Sequence, residues 1–462
     1  MFDVIVIGAG AGGLVIAIGA AKAGKKTLLI ETGPYGGDCT NFGCIPSKSL
    51  IASSKEAYML KHADRLGIDV RFRTFDTVNA FKRVRDIVTE VRSREDPSAL
   101  KHSGVETLTG TASFHDSRTL LVNGRKVRGK EIVIATGSEP TVPDVEGLAG
   151  TPYLTNETVF ELERVPPDMI FIGAGPIGCE LAQAFAGLGS EVTVIAGTHM
   201  LAREDPRARE VIAKQFVTEG MTLQIGERPK RVTYDPEKGF TVLVGNKELK
   251  ARSLFVATGR RPRLEGLHLA RAGIATTDKG ITVDPYGRTS QKHIWAVGDV
   301  VGAPFFTHLA ENRARTVLKN ILLPFKSKIS TQPVPRVTYT DPEIASLGLL
   351  TEEAVNRYGK GRIAVYTVPF TEVDRSITNG RTEGFVTIVT KKWSSKILGA
   401  TIVGARAGEM LMEISMAMYT KTPLRKLSGL IHPYPIESAA IRKAADMWLT
   451  QTVLGAIRRN KL

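Results

Sequence analysis

The chain has 462 residues, room for two to four domains at roughly 100–200 residues each. Its 42% apolar and 24% charged residues, with 45 glycines, exclude a disordered, fibrous or membrane-embedded protein, and no run of 18 apolar residues is present to cross a bilayer. A net charge of +15 would suit nucleic acid or an anionic surface, but the Lys and Arg are scattered, with no zinc-finger spacing or RNA-binding aromatic signature; the expectation is a basic surface around anionic cofactors, without nucleic acid.

In chain order, the strand-like run Phe2-Asp3-Val4-Ile5-Val6-Ile7 begins at once, so no cleaved leader is expected. Three cysteines cannot build an extracellular disulfide scaffold, so a cytoplasmic location is expected. The run leads into Gly8-Ala9-Gly10-Ala11-Gly12-Gly13, an Ala-rich helical pattern and the strand Thr27-Leu28-Leu29-Ile30-Glu31. The same grammar returns in Met169-Ile170-Phe171-Ile172, the turn Gly173-Ala174-Gly175-Pro176-Ile177-Gly178, a helix through Ala186 and the strand Glu191-Val192-Thr193-Val194-Ile195. Each copy is the first half of a dinucleotide-binding unit. Gly8 and Gly173 make the tight bend, Gly10 and Gly175 let a pyrophosphate approach, and Gly13 and Gly178 let helix and strand close up. Ile132-Val133-Ile134-Ala135-Thr136-Gly137-Ser138 closes the first copy, and Leu254-Phe255-Val256-Ala257-Thr258-Gly259-Arg260 the second. Residues 139–150, rich in Pro and Gly, read as the linker.

The copies differ at the position that reads the ribose. Glu31, 23 residues after Gly8, is placed to accept hydrogen bonds from a 2′-hydroxyl; the same offset from Gly173 lands on Ala196. With the acid gone and Arg203 in the next loop, near His199, a 2′-phosphate is favoured, hence NADPH over NADH. The alternative is that Arg203 merely pairs with Glu204 or Asp205.

Between the first unit and its closing strand lies Gly36-Gly37-Asp38-Cys39-Thr40-Asn41-Phe42-Gly43-Cys44-Ile45-Pro46-Ser47-Lys48. Pro46 and Ser47 open a helical run through Leu60, which puts Cys44 near a helix N-terminus, where the dipole and Lys48 favour a thiolate. A cycling dithiol fits this loop better than a staple, and zinc lacks a second pair of ligands. Cys179, on the second glycine-turn helix, is expected to be buried and inert. At the far end, residues 447–461 read as a packed terminal helix with a basic end, in preference to one that touches a membrane.

These motifs resemble the class I pyridine nucleotide–disulfide oxidoreductases: dihydrolipoamide dehydrogenase, glutathione reductase and mercuric reductase. The likeness runs through the whole chain. Thr289-Ser290 to Ile294-Trp295-Ala296-Val297-Gly298-Asp299-Val300 is similar to the family's second FAD motif, Phe306-Thr307-His308-Leu309-Ala310 to its flavin-contacting segment, and residues 335–345 to the opening of its dimerisation domain. The resemblance implies cofactor-binding roles for Gly37, Thr136, Gly137, Asp299, His308, Ala310 and Gly259 beside the two glycine turns. It implies hydride passing from NAD(P)H to FAD and on to a Cys39–Cys44 disulfide. Cys44 would then be the flavin-facing thiolate, Cys39 the interchange thiol, and Lys48, paired with Glu180, would lie near the flavin.

Disulfide-reducing members carry a His-Pro base with a trailing Glu, supplied by the partner subunit. Here the segment is Ile431-His432-Pro433-Tyr434-Pro435-Ile436-Glu437-Ser438-Ala439, with Tyr434 at the base position and Ala439 at the acid position. A phenol, with a reference pKa near 10, shuttles protons poorly at neutral pH. His432 could swing in, or Glu437 could serve as its partner. A Tyr here is similar to mercuric reductase, whose acceptor needs no proton, although the cysteine pair that ends those enzymes has no counterpart in Ile457-Arg458-Arg459-Asn460-Lys461-Leu462. Hg(II) would have to reach Cys39 and Cys44 directly.

The expected fold is α/β: two Rossmann-like doubly wound nucleotide-binding domains plus a C-terminal α+β dimerisation domain. FAD is assigned to 1–145 and 266–330, NAD(P) to 146–265 and homodimer formation to 331–462. Metal-ion reduction ranks first as the function, a dihydrolipoamide or other disulfide reductase second, and a redox-responsive flavoprotein that does not turn over third.

Overall fold

Val4, Ile5 and Val6 are withdrawn from water at the centre of the first sheet of the computed structural model, which describes residues 1–71 and 76–459. Their strand, Phe2–Ile7, pairs in parallel with Thr27–Glu31 on one side and Arg125–Ile134 on the other, and Val105–Thr109 extends the sheet beyond Thr27–Glu31. Near-continuous apolar runs are what a parallel sheet covered on both faces demands. Ile294–Ala296 returns from far along the chain to pair with Arg125–Ile134, so two separate stretches build this sheet. On one face the helix Ala11–Lys22 packs against Thr307–Leu322, so closely that a side chain at Gly19 would collide with Leu318.

The second sheet repeats the parallel order with Thr222–Ile225, Glu191–Ala196, Asp168–Ile172 and Ser253–Val256. The helices Pro176–Gly187 and Pro206–Thr218 belong to it, and Phe171, Phe185 and Phe216 fill the core between. The repeat in the sequence is therefore a repeat in the fold. The expected linker starts differently. Ser138–Pro140 forms an antiparallel ribbon with Arg260–Pro262, joining the closing segments of the two units. Proline suggested a breaker there, but both strands of a two-stranded ribbon are edges, where a missing N–H is tolerated.

The C-terminal region is an antiparallel sheet in the order Arg336–Thr338, Glu343–Gly348, Ile397–Gly404, Phe385–Lys391, Ile363–Pro369. The helices Ala407–Tyr419 and Ala439–Met447 pack on it through Leu411, Ile414, Ile441 and Ala444. This completes an α/β protein with an α+β end. The chain then winds through a π-helical turn, Trp448–Leu454, tied down by Trp448 Nε1 donating to Lys392 O and by the Tyr366–Thr452 hydroxyl pair. The expected basic end reaches the described residues as the short helix Gly455–Arg459; 460–462 lie outside them. Among the described residues, no helix is long and apolar enough to cross a membrane.

Candidate active site

Gly37 has φ +63, and a Cβ there would lie 2.6 Å from Gly10 Cα, so only glycine lets this loop lie against the first glycine turn. The loop continues as a short helix, Gly37–Asn41, carrying Cys39; then Gly43 caps the helix Cys44–Lys61, whose first residue is Cys44. Both cysteines are free thiols that hydrogen-bond to each other, and Cys44 Sγ lies 3.6 Å from Thr307 Oγ1. The Cys39 thiol, then Thr307 and the Lys48 charge, outweigh burial and hold the Cys44 pKa below the usual thiol value. The same bond, reinforced by burial, drives Cys39 upward. The two shifts run in opposite directions and favour ionisation of Cys44; Cys39 and Thr307 are partners that the sequence reading did not weigh. Cys179 is fully buried, its thiol pKa raised by desolvation.

Lys48, one helical turn past Cys44, donates to Glu180 Oε2 at 2.7 Å, and its ammonium lies 4.6 Å from the centre of the Tyr339 ring. Glu180 Oε1 takes the Tyr339 N–H at 2.9 Å, so the helix Cys44–Lys61, the helix Pro176–Gly187 and the link between the strands Arg336–Thr338 and Glu343–Gly348 meet on one carboxylate. Burial works to lower the Lys48 pKa, but the charge and hydrogen bond of Glu180 outweigh it, and the net shift is upward. The pair is no ordinary surface contact: Glu180 is 5% exposed.

One cavity of about 2890 Å³ joins both glycine turns to Cys39, Cys44, Lys48 and Glu180. Single ligand pockets run to ~300–1,000 Å³, so the space suits two dinucleotides. At the first turn, a Cβ on Gly8 would meet Ala135 O and one on Gly13 would meet Gly8 O, leaving the face at Gly10 open to the cavity. Glu31 Oε2 accepts the Ala9 N–H at 2.6 Å, and Oε1 accepts from Thr32 and Gly33, which fixes the carboxylate on the cavity wall. Thr136, Gly137, Asp299, His308 and Ala310 line the same space. Asp299 accepts from Ser138 Oγ at 2.6 Å, and burial raises its pKa, while His308 Nε2 is bonded to Pro335 O. A glycine cradle with a fixed carboxylate and a partly buried Asp fits FAD, which Gly10, Glu31, Gly37 and Asp299 would hold.

The second turn repeats the cradle. Gly173 and Gly178 are closed by backbone, and nothing stands within 4 Å of where a Gly175 Cβ would be. Gly259 and Arg203 line the cavity there, and this fits NAD(P)H. Arg203 is exposed, with no side-chain partner among the described residues. Glu204 takes Arg336 and Ser346, and Asp205 takes Arg207, so the alternative pairing of Arg203 does not form. Arg228 is a further cation that the sequence did not reveal: it lies against Gly197, just past the strand Glu191–Ala196. Arg260 was missed as well. It bonds Ser138 and Asn156 and pairs with Asp38, the neighbour of Cys39, at 3.2 Å, tying the two nucleotide units to the cysteine loop.

Tyr434 and His432 do not line this cavity within one chain. Tyr434 is 80% exposed, its hydroxyl donating to Asp374 Oδ2 at 3.0 Å; that bond, with the Asp374 charge, raises the phenol pKa above its usual value. His432 is held at both ring nitrogens, by Leu430 O at 3.0 Å and by Glu413 at 3.2 Å. Glu437 is buried and accepts from Asn379, not from His432. The two compensations conceived from sequence are thus not formed in the single chain, and Asp374 takes up the phenol instead.

Residues 2–314 match the family of pyridine nucleotide-disulphide oxidoreductases, and residues 334–445 match that family's dimerisation domain. The chain belongs to this family. A mercuric reductase from Lysinibacillus sphaericus is 32% identical over 457 residues, spanning 97% of this chain and 83% of the relative. A dihydrolipoyl dehydrogenase from Chlamydia muridarum is 32% identical over 460 residues, 98% and 96% of the two chains. Among solved structures, the HOCl-induced flavoprotein disulfide reductase RclA of Escherichia coli superposes with TM-score 0.87 at 27% identity, over 96% of this chain and 99% of that one. Its Cu(II) complex superposes at 0.85. The family uses FAD and NAD(P)H, and the protein is accordingly a flavin-dependent oxidoreductase.

Proposed function

We propose that this enzyme passes electrons from NADPH through the Cys39–Cys44 pair to a soft metal ion such as Hg(II), as a homodimer in which Tyr434 faces the partner's cysteines. FAD would be held by 1–145 and 266–330, the nicotinamide nucleotide by 146–265, and the dimer by 331–462. FAD, when bound, supplies a two-electron carrier between nicotinamide and sulfur. The carrying observation is the Tyr434–Asp374 hydrogen bond. A phenol pushed above ~10 cannot relay protons to a leaving thiol at neutral pH, whereas a metal ion asks for two sulfurs and no proton. Soft thiolates select such ions. The curated mercuric reductases and the Cu(II) complex of RclA lend the same direction.

The two electrons and one proton of a hydride break the Cys39–Cys44 S–S bond, leaving Cys44 as thiolate and Cys39 as thiol. A metal ion displaces that proton, binds both sulfurs and accepts the two electrons as the S–S bond re-forms. Steady-state NADPH oxidation with thiol-complexed Hg(II) and oxidised lipoamide in parallel tests this. Fast Hg(II) turnover that Cys39→Ala removes is expected; fast lipoamide turnover instead would reverse the ranking, and slow oxidation with both would favour a signalling flavoprotein.

The guanidinium of Arg203, without a side-chain partner among the described residues, supports NADPH as the nucleotide. Arg203→Ala is expected to raise KM for NADPH about tenfold, the loss of one charge-assisted phosphate contact, and to leave KM for NADH unchanged. Equal effects on both nucleotides would remove the 2′-phosphate role.

A further inference from the structure

At one end of the C-terminal sheet the fold gathers three loops from separate parts of the chain, 356–362, 391–396 and 420–430. Backbone bonds tie them together. Lys392 N–H donates to Arg362 O at 2.9 Å, and Leu424 N–H donates to Ser395 O at 2.9 Å. Arg357 and Lys391 both lie over the Tyr358 ring, and Trp448 Nε1 donates to Lys392 O. The first loop brings Arg357, Lys360 and Arg362, and the second Lys391, Lys392 and Lys396. The third brings Lys421, Arg425 and Lys426, and none of the three contains an Asp or Glu. All of these cations but Lys392 are exposed, and none pairs with a carboxylate among the described residues. Along the chain the Lys and Arg look scattered; the fold collects these. They do not line the nucleotide cavity, so the cofactors do not account for them.

Trp393 stands in the turn between the strands Phe385–Lys391 and Ile397–Gly404, 61% exposed, with the Lys392 ammonium 5.5 Å from its ring centre. Leu449, next to the anchored Trp448, is half exposed. Like charges held this close repel one another, and an anionic partner relieves that repulsion. A second copy of the chain does not, because a two-fold contact would set cation against cation. Lys and Arg around an exposed indole suit a lipid headgroup layer, where the charges meet anionic phosphates and the indole sits at headgroup depth. Leu449 gains from such a layer but has nothing to recognise on a phosphodiester strand. We propose that these three loops are a docking surface for an anionic lipid bilayer, with Trp393 as the side chain that enters the headgroup layer. The contact is peripheral, needs no spanning helix, and does not depend on which acceptor the cysteines serve.

The test is sedimentation of the holoenzyme with vesicles of phosphatidylcholine alone or with about 30% phosphatidylglycerol, beside binding to duplex DNA at the same salt. Binding to the anionic vesicles alone is expected, weakening about tenfold between ~0.1 and ~0.5 M salt as the charges are screened. Trp393→Ala should weaken vesicle binding about tenfold and leave any DNA binding unchanged. The triple variant Lys391→Glu, Lys392→Glu, Lys396→Glu should weaken vesicle binding on the order of 10²-fold. Both should keep the flavin content, the melting temperature and the rate of flavin reduction by NADPH, since none of these residues touches the cavity. Equal binding to neutral and anionic vesicles, or binding to neither, would overturn the proposal. A triple variant that binds like the wild type would do the same. Tighter binding to DNA than to the anionic vesicles, untouched by Trp393→Ala, would assign the loops to nucleic acid instead.

Discussion

Cys44→Ser is expected to abolish the long-wavelength absorbance of the two-electron-reduced enzyme and to cut acceptor-dependent NADPH oxidation by on the order of 10³ or more, as losing a nucleophile does. Cys44 begins a helix, is bonded by Cys39 and Thr307 and lies one turn from the Lys48 ammonium, so the thiolate is its preferred form. A serine hydroxyl at the same place keeps its proton and has no such charge to donate. In the unsubstituted enzyme the pH dependence has a definite sign. The Cys44 pKa lies below the free-thiol value of ~8.5, so the absorbance is present at neutral pH and fades only as acid takes the pH down through the lowered value. A spectrophotometric titration of the NADPH-reduced protein checks both statements. Absorbance that survives Cys44→Ser would mean that Cys39, with its raised pKa, has been given the wrong role.

What could be read from the sequence follows from how local each requirement is. The glycine turns were legible because backbone geometry alone demands them: a tight bend at Gly8 and close helix packing at Gly13 are written within six residues. The helix beside Cys44 was legible for the same reason, although it begins at Cys44 itself and not at the expected Pro46. Lys48 and Glu180 are 132 residues apart, and nothing local announces their bond; only the family resemblance paired them. The contacts of Thr307, Arg260 and Arg228 with Cys44, Asp38 and Gly197 were not read, because each looks like an ordinary polar residue until the fold brings it there. Asp374 shows the limit most clearly. The sequence offered His432 and Glu437, neighbours of Tyr434 in the chain, whereas the hydroxyl is taken by a residue 60 positions away.

The second glycine turn separates packing from ligand contact in two substitutions of one methyl each. In Gly178→Ala the new Cβ would stand 2.0 Å from Gly173 O, a backbone atom that cannot step aside without moving the strand Asp168–Ile172. Overpacking of this kind costs about 3 kcal/mol or more, and the variant is expected to lose yield and thermal stability. In Gly175→Ala nothing lies within 4 Å of the added methyl, and its φ of −76° is open to any residue. That methyl points into the cavity where a pyrophosphate would approach the helix Pro176–Gly187, so stability and flavin content should be retained while kcat/KM for NADPH falls about 10²-fold. Thermal melting and flavin absorbance read the first effect, and steady-state kinetics the second. A Gly175→Ala enzyme with unchanged kinetics would mean that the nicotinamide nucleotide does not lie across this turn. Equal destabilisation of both variants would mean that the turn serves packing alone.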